Sequence, residues 1–115
     1  MSEDGAGAAY GRTPYLRVAV VGESMRPTLD DGDWLLCRRV TGARGVQEGD
    51  VVVLERPDRP GLLVVKRAAR REPGGWWVEG DNVAASDDSR VFGVVPDRYV
   101  LARVTARYWP RPRRL

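Results

Sequence analysis

Turn-forming residues recur so closely along this chain that long helices are not expected. Short segments rich in Val, Leu and Trp alternate with clusters of Gly, Pro and Asp, and no apolar stripe of helical period runs far enough to predict a helix. The predicted strands cover residues 16–21, 34–40, 51–56, 62–70, 76–79 and 99–108. The pattern predicts an all-β, mostly antiparallel domain over residues 15–110.

The segments between the strands predict how they connect. Pro-Asp-Arg-Pro-Gly at 57–61 is a strong turn signal, so we expect the strands on either side of it to form a hairpin. Pro27 is compatible with a single helical turn over residues 25–29. Residues 1–9 are Gly/Ala-rich and acidic, and a disordered lead-in is predicted over residues 1–14, with a basic tail over residues 111–115.

Few features of the 115 residues indicate the cellular compartment of the protein. No apolar stretch approaches the roughly 18 residues that span a bilayer, and no secretory signal follows Met1. Cys37 is the only cysteine, which excludes an intrachain disulfide. It lies in Trp-Leu-Leu-Cys, where a small buried hydrophobe is a better interpretation than a nucleophile. The sequence therefore predicts a cytoplasmic protein without a transmembrane segment.

The complete absence of histidine restricts the possible chemistry. It excludes a Ser-His-Asp triad, a Cys-His pair and a His-ligated zinc site, so any general base must be Asp, Glu, Lys or Tyr. The chain has 18 arginines and one lysine, Lys66. Arginine does not lose its proton in proteins, whereas a desolvated lysine can. Lys66 is therefore a candidate base, although a composition poor in lysine can also keep one by chance.

Strand periodicity gives Lys66 an apolar setting. Alternate residues of a strand share a face, so Lys66 is predicted to lie with Leu62, Val64 and Ala68, and Arg67 to point the opposite way. Burial disfavours the charged form of an amine and brings its pKa toward neutrality. The alternative is a lysine that reaches solvent or pairs with a carboxylate.

Two polar segments offer partners for such a base. Ser24 follows a predicted strand and Gly22, where a turn can present both its hydroxyl and its own amide, as a nucleophile with an oxyanion donor requires. A turn serine bonded to its own backbone is the alternative. Residues 80–93 are rich in Asp, Ser and Gly but lack the spacing of a calcium-binding loop. A bracing loop with a serine hydroxyl and an Asp-Arg ion pair is equally compatible with them.

Taken together, these segments resemble the signal peptidase I family. Ser-Met-Arg-Pro-Thr-Leu at 24–29, a lysine after an aliphatic strand, and Gly-Asp-Asn followed by Ser-x-Asp-Ser-Arg occur here in the family's order, and the similarity covers residues 18–104. The resemblance implies coiled antiparallel sheets of the kind shared with the self-cleaving SOS repressors.

The resemblance also implies roles for individual residues. Ser24 would attack the peptide carbonyl and Lys66 would take its proton. Ser86 would orient the lysine amine, while Asp88 and Arg90 would brace the loop. Some members place a hydroxyl two residues before the nucleophile to complete the oxyanion hole. This chain has Gly22 there, so the Ser24 amide would need another donor.

One departure bears on the substrate. Signal peptidases I carry an N-terminal membrane helix, and none is predicted here. This chain is short for the family and carries Trp-Trp-Val-x-Gly-Asp-Asn at 76–82, and in both respects it is similar to the nickel-type superoxide dismutase maturation proteases. That similarity implies removal of a leader from the nickel-type superoxide dismutase precursor, with no metal or cofactor in the enzyme itself.

Other interpretations stay open from residues alone. The chain could process exported precursors as a signal peptidase does, or it could be a non-catalytic β domain that binds peptides. Six arginines and no acidic residue follow Asp97. Because no binding motif accompanies them, a solvated tail is predicted rather than a nucleic-acid surface.

Overall fold

Nine strands form one antiparallel sheet in the computed structural model, which describes residues 5–10 and 14–115. Along the sheet the strand order is β1-β2-β3-β8-β4-β5-β6-β7, and β9 pairs with β8 off this path. The strands are β1 Gly5–Tyr10, β2 Tyr15–Val21, β3 Trp34–Arg39, β4 Val51–Glu55, β5 Leu63–Glu72, β6 Gly75–Glu79, β7 Val95–Pro96, β8 Val100–Trp109 and β9 Arg113–Arg114. A four-residue helix, α1, spans Ser89–Phe92, and two 3₁₀ turns span Val83–Ala85 and Asp97–Tyr99.

The all-β prediction is confirmed, and each predicted strand is present with small shifts at its ends. The β4–β5 hairpin forms around the predicted turn, with cross-strand pairs from Val51 and Arg67 to Glu55 and Leu63. The predicted single helical turn over residues 25–29 is wrong: the segment is a turn closed by a bond from the Leu29 amide to the Met25 carbonyl at 2.9 Å, and no helix is present between β2 and β3. Helix α1 and strand β7 escaped prediction because segments of four and two residues are too short to show a period.

Both chain ends differ from their predictions. Gly5–Tyr10 is strand β1 and pairs with β2, so the disordered lead-in predicted over residues 1–14 is wrong for these six residues; residues 1–4 and 11–13 lie outside the described part. A Gly/Ala segment carries little side-chain pattern, and backbone pairing with β2 supplies the order that the pattern does not show. The predicted basic tail includes β9, whose exposed arginines pair with Ala106 and Arg107 of β8.

Two buried clusters lie on opposite faces of strands β4 and β5. Alternate residues of β4 enter alternate clusters, so all of Val51–Leu54 is buried, as expected for a strand covered on both sides. The first cluster contains Leu16, Val18, Val20, Met25, Leu29, Leu35, Cys37, Val51, Val53, Val65, Ala102 and Val104. The second contains Ala43, Val52, Leu54, Val64, Ala68, Trp76, Val78, Val95 and Val100. Because one sheet covers both faces of its own central strands, it must coil around them.

Cys37 belongs to the first cluster and is fully buried, as predicted. Burial raises the pKa of its thiol to about 12, so the thiol stays protonated and unreactive at neutral pH. Among the described residues, no helix has both the length and the apolar character needed to cross a bilayer.

Candidate active site

Ser24 lies in a tight turn that leaves the end of β2. Gly22 has φ near +90°, which only glycine adopts readily, and its amide donates to Asp31 Oδ1 at 2.8 Å. The side chains of Met25 and Leu29 anchor the turn in the first buried cluster. As a result Ser24 is held in place and is only 6% exposed.

Lys66 lies on β5 and is 1% exposed, which makes it the largest fully buried side chain among the described residues. It faces the second cluster with Val64 and Ala68, as the strand period predicts, and Val52 of β4 is directly opposite. Its Nζ donates a hydrogen bond to Ser86 Oγ at 3.2 Å. The alternative of a lysine that reaches solvent is therefore excluded.

A chain of hydrogen bonds continues from Ser86. Its hydroxyl donates to Asp88 Oδ2 at 3.2 Å, and Asp88 is fully buried. Arg90 donates to Asp88 Oδ1 through its Nε at 2.9 Å and its amide at 3.1 Å, and the Gly80 amide donates to Oδ2 at 3.0 Å. Lys66, Ser86, Asp88 and Arg90 thus form one network, although their catalytic roles remain predictions.

The charge of Asp88 determines how this network is oriented. Burial opposes its ionisation, but hydrogen bonds from the Arg90 side chain, the Gly80 amide and the Arg90 amide outweigh that effect and lower the pKa of Asp88 to about 2. An ionised carboxylate only accepts hydrogen bonds. The Ser86 hydroxyl therefore donates to Asp88 and turns a lone pair toward the Lys66 amine.

Gly80 brings this network against the Ser24 turn. A Cβ placed on Gly80 would lie 2.1 Å from Ser86 Oγ and 2.7 Å from the Ser24 carbonyl oxygen. Only a residue without a side chain fits between them. The backbone of the candidate nucleophile and the hydroxyl that holds the candidate base are therefore neighbours.

Asp81 and Asn82, the two residues after Gly80, attach the Ser24 turn more firmly. Asp81 accepts from Thr28 Oγ1 at 2.5 Å and from Arg67 Nε at 2.9 Å. Burial raises the pKa of Asp81, but the bonds from Arg67 and Thr28 outweigh it and leave that pKa below its ordinary value. The Asn82 amide donates to the Ser24 carbonyl at 2.9 Å. Residue chemistry alone indicates no role for the Gly-Asp-Asn segment, because its partners in the turn, Ser24 and Thr28, lie more than 50 positions earlier in the chain.

Arg56 supports the same loop from the other side. Its guanidinium is nearly buried, donates to both carboxylate oxygens of Asp58 at 2.9 and 2.7 Å, and lies 3.5 Å from Asp87. It also lies 5.1 Å from the ring centroid of Phe92. Arg56 therefore links the β4–β5 turn to the segment that carries Asp88, a contact that no local sequence pattern predicts.

These features define a class before any relative is considered: an all-β domain that holds one buried lysine beside a serine-bearing turn. Comparison with protein families shows that the chain belongs to the signal peptidase, peptidase S26 family, which matches residues 9–69 and 71–109. The predicted relationship to signal peptidases is confirmed, and a signal-peptidase-like protease is the activity typical of this family.

Curated relatives give the same family. The chain is similar to mitochondrial inner membrane protease subunit 1 of Xenopus tropicalis, with 32% identity over 77% of this chain and 66% of the relative. It is 37% identical to the subunit 1 of Schizosaccharomyces pombe over 79% of this chain and 71% of the relative. The Arabidopsis thaliana ATP-independent inner membrane protease subunit 1a is 33% identical over 79% and 68%. The chain thus spans about two thirds of the length of these relatives.

The comparisons contradict the predicted cytoplasmic location. The relatives named above are subunits of a mitochondrial inner membrane protease, so the prediction is wrong. It rested on the lack of a long apolar stretch in these 115 residues, and such a lack does not determine where a peptidase domain works. None of the three relatives is named for dismutase maturation, so the finer resemblance gains no support from them.

Asp88→Asn tests the charge at the centre of the network. Because the pKa of Asp88 falls from 3.8 to about 2 on folding, its ionised form stabilises the protein above pH ~4, by about 2 kcal/mol, and this contribution is lost as the pH falls toward 2. We expect the variant to be less stable by about that amount at pH 7 and equal to the parent near pH 2. Urea unfolding between pH 2 and 7 measures the difference.

Asp87→Asn is the matched control, because the Asp87 side chain is 59% exposed and pairs with Arg56 only at 3.5 Å. We expect it to change stability by less than about 1 kcal/mol. Equal losses in the two variants would show that the buried carboxylate has no special role.

Proposed function

We propose that this chain is a serine endopeptidase with a Ser-Lys dyad, in which Ser24 is the nucleophile and Lys66 the general base. The observation that carries the proposal is the fully buried Lys66 amine, fixed by Ser86 on an aliphatic face beside the Ser24 turn. The Lys66 amine donates to the neutral Ser86 hydroxyl, and burial disfavours the charged form of an amine; both features fit a general base.

In the proposed mechanism, a neutral Lys66 amine uses one N–H to hold Ser86 and keeps its lone pair for the Ser24 proton. Ser24 Oγ then bonds to the peptide carbonyl carbon, and the tetrahedral intermediate places its oxyanion near the Ser24 amide. The resulting ammonium of Lys66 gives its proton to the leaving amine as the peptide bond breaks. Water, activated by the same amine, releases the acyl group from Ser24.

The roles proposed for the other residues follow from their contacts. Ser86 orients the amine, and Asp88 with Arg90 fixes Ser86. The Gly22 amide is occupied by Asp31 and so is not offered to an oxyanion. The Ser24 amide is the oxyanion donor proposed here.

The proposed substrate is a protein precursor that loses a short N-terminal segment. The nickel-type superoxide dismutase precursor is one candidate, and it rests on sequence resemblance alone. A second candidate class, precursors presented at a membrane surface, is favoured by the relatives, which are named as inner membrane protease subunits. A non-catalytic peptide-binding domain is the remaining alternative.

Co-expression of the chain with candidate precursors of both classes tests the function. We expect a shortened precursor that is cleaved at one defined position, which N-terminal sequencing of the product identifies. Ser24→Ala is the matched control and should leave the precursor intact while keeping the melting temperature. Binding of the precursor without cleavage by the unsubstituted chain would instead support a peptide-binding domain.

A further inference from the structure

Asn82 holds two consecutive carbonyl groups of the Ser24 turn. Its backbone amide donates to the Ser24 carbonyl at 2.9 Å, and its side-chain Nδ2 donates to the Glu23 carbonyl at 3.0 Å. The Glu23 carbonyl also accepts from the Arg26 amide within the turn, at 3.2 Å. Both peptide planes that flank the α-carbon of Ser24 are therefore fixed by the same residue.

Fixing the Glu23 carbonyl also fixes the direction of the Ser24 amide. The peptide bond between Glu23 and Ser24 is trans, because the cis bonds of the described chain are at Pro27 and Pro110. In a trans peptide the C=O and N–H bonds point in opposite directions. A Glu23 carbonyl directed at Asn82 therefore directs the Ser24 N–H away from Asn82, and that N–H meets no acceptor within residues 5–10 and 14–115.

We propose that Asn82 is a positioning residue that aims the Ser24 amide at the oxyanion of the substrate. The proposal rests on the Ser-Lys mechanism above and adds a third part to the site, separate from the nucleophile and the base. An amide that is aimed before the substrate arrives stabilises developing charge without reorganisation in the transition state. Without Asn82, the hydrogen bond from the Arg26 amide to the Glu23 carbonyl would be the one contact left among the described residues to hold this peptide plane.

The side-chain chemistry at position 82 is specific for this task. The Glu23 carbonyl needs a donor, which the carboxamide of asparagine supplies. Aspartate has the same shape but would place a carboxylate against that carbonyl, so the peptide plane would be expected to rotate. Alanine would remove the contact and keep the backbone bond from Asn82 to the Ser24 carbonyl.

The acylation of Ser24 by p-nitrophenyl acetate tests the proposal without the natural substrate. Ser24 Oγ bonds to the acetyl carbon, the bond to the p-nitrophenolate oxygen breaks, and the Ser24 proton passes to Lys66. We expect Asn82→Ala and Asn82→Asp to slow the release of p-nitrophenolate by about 10²-fold, as does the loss of an oxyanion donor, with KM little changed. The pH dependence of the rate should keep its shape, because the base is untouched.

Val83→Ala is the matched control, since Val83 is the next residue and is 68% exposed. It should acylate at the parent rate. Parent-like rates in both Asn82 variants would overturn the proposal. A loss of rate that is fully explained by a lower melting temperature, or that comes with a shifted pH profile, would also overturn it. If the unsubstituted chain shows no Ser24-dependent release, the proposed function fails and the role of Asn82 with it, an outcome distinct from failure at Asn82 alone.

Discussion

Lys66→Met is expected to abolish peptidase activity and to leave the domain folded with an equal or higher melting temperature. Methionine fills nearly the same space on the aliphatic face of β5 but has no amine to accept a proton. The removal of a general base costs up to about 10⁴-fold in rate, whereas the removal of a buried amine relieves a desolvation penalty. Steady-state cleavage and thermal melts on the same preparations measure both effects.

Lys66→Arg separates a base from a structural cation. Arginine keeps the positive charge but cannot supply a neutral amine, so it should be as inactive as methionine. If the larger guanidinium of arginine disturbs packing in the second cluster, the folded methionine variant still isolates the loss of the amine. Near-parent turnover in either variant would refute Lys66 as the base.

The same dyad predicts two further signatures. Ser24→Ala combined with Lys66→Met should be no worse than either single variant, because residues that act as one unit give non-additive losses. The rate of the unsubstituted enzyme should rise with pH as the neutral amine becomes populated. A rate independent of pH between 6 and 10, with the fold intact, would remove the neutral-lysine mechanism.

The sequence supports the prediction of strands and of the Lys66 environment because both depend on local periodicity. The alternation of residues along β5 places Lys66 with Val64 and Ala68 without knowledge of any partner strand, and the structure has the same arrangement. The β4–β5 hairpin was equally accessible, because its turn lies between the two strands it joins.

What the sequence could not supply are contacts between distant segments. The bonds of Asp81 to Thr28 and of Asn82 to Glu23 join residues 53 and 59 positions apart, and no local pattern encodes such pairs. β1 was missed for a related reason, since its Gly/Ala sequence carries little side-chain pattern and the strand is defined by its pairing with β2. The predicted location failed because it was inferred from the lack of a segment rather than from a contact.

Gly80→Ala is expected to cost activity more than stability. The new methyl group would lie 2.1 Å from Ser86 Oγ, 2.6 Å from Ser86 Cβ and 2.7 Å from the Ser24 carbonyl oxygen, so either the hydroxyl that holds Lys66 or the Ser24 turn must move. A misplacement of about 1 Å can lower a rate by about 10²-fold, whereas overpacking costs about 1–3 kcal/mol. Urea unfolding and cleavage rates on one preparation give both quantities.

Gly75→Ala provides the matched clash at a distance from the site. Its methyl group would lie 2.0 Å from the Val95 carbonyl oxygen, where β6 pairs with β7, and it would meet neither Ser24 nor Ser86. We expect a similar loss of stability, with activity close to that of the parent at temperatures where the variant is folded. The two substitutions add the same methyl group to similarly crowded glycines. A difference in rate between the two variants therefore reports only that Gly80 lies beside the site and Gly75 does not. Equal rates in the two variants would mean that contact between the Ser24 turn and the Ser86 network does not control catalysis.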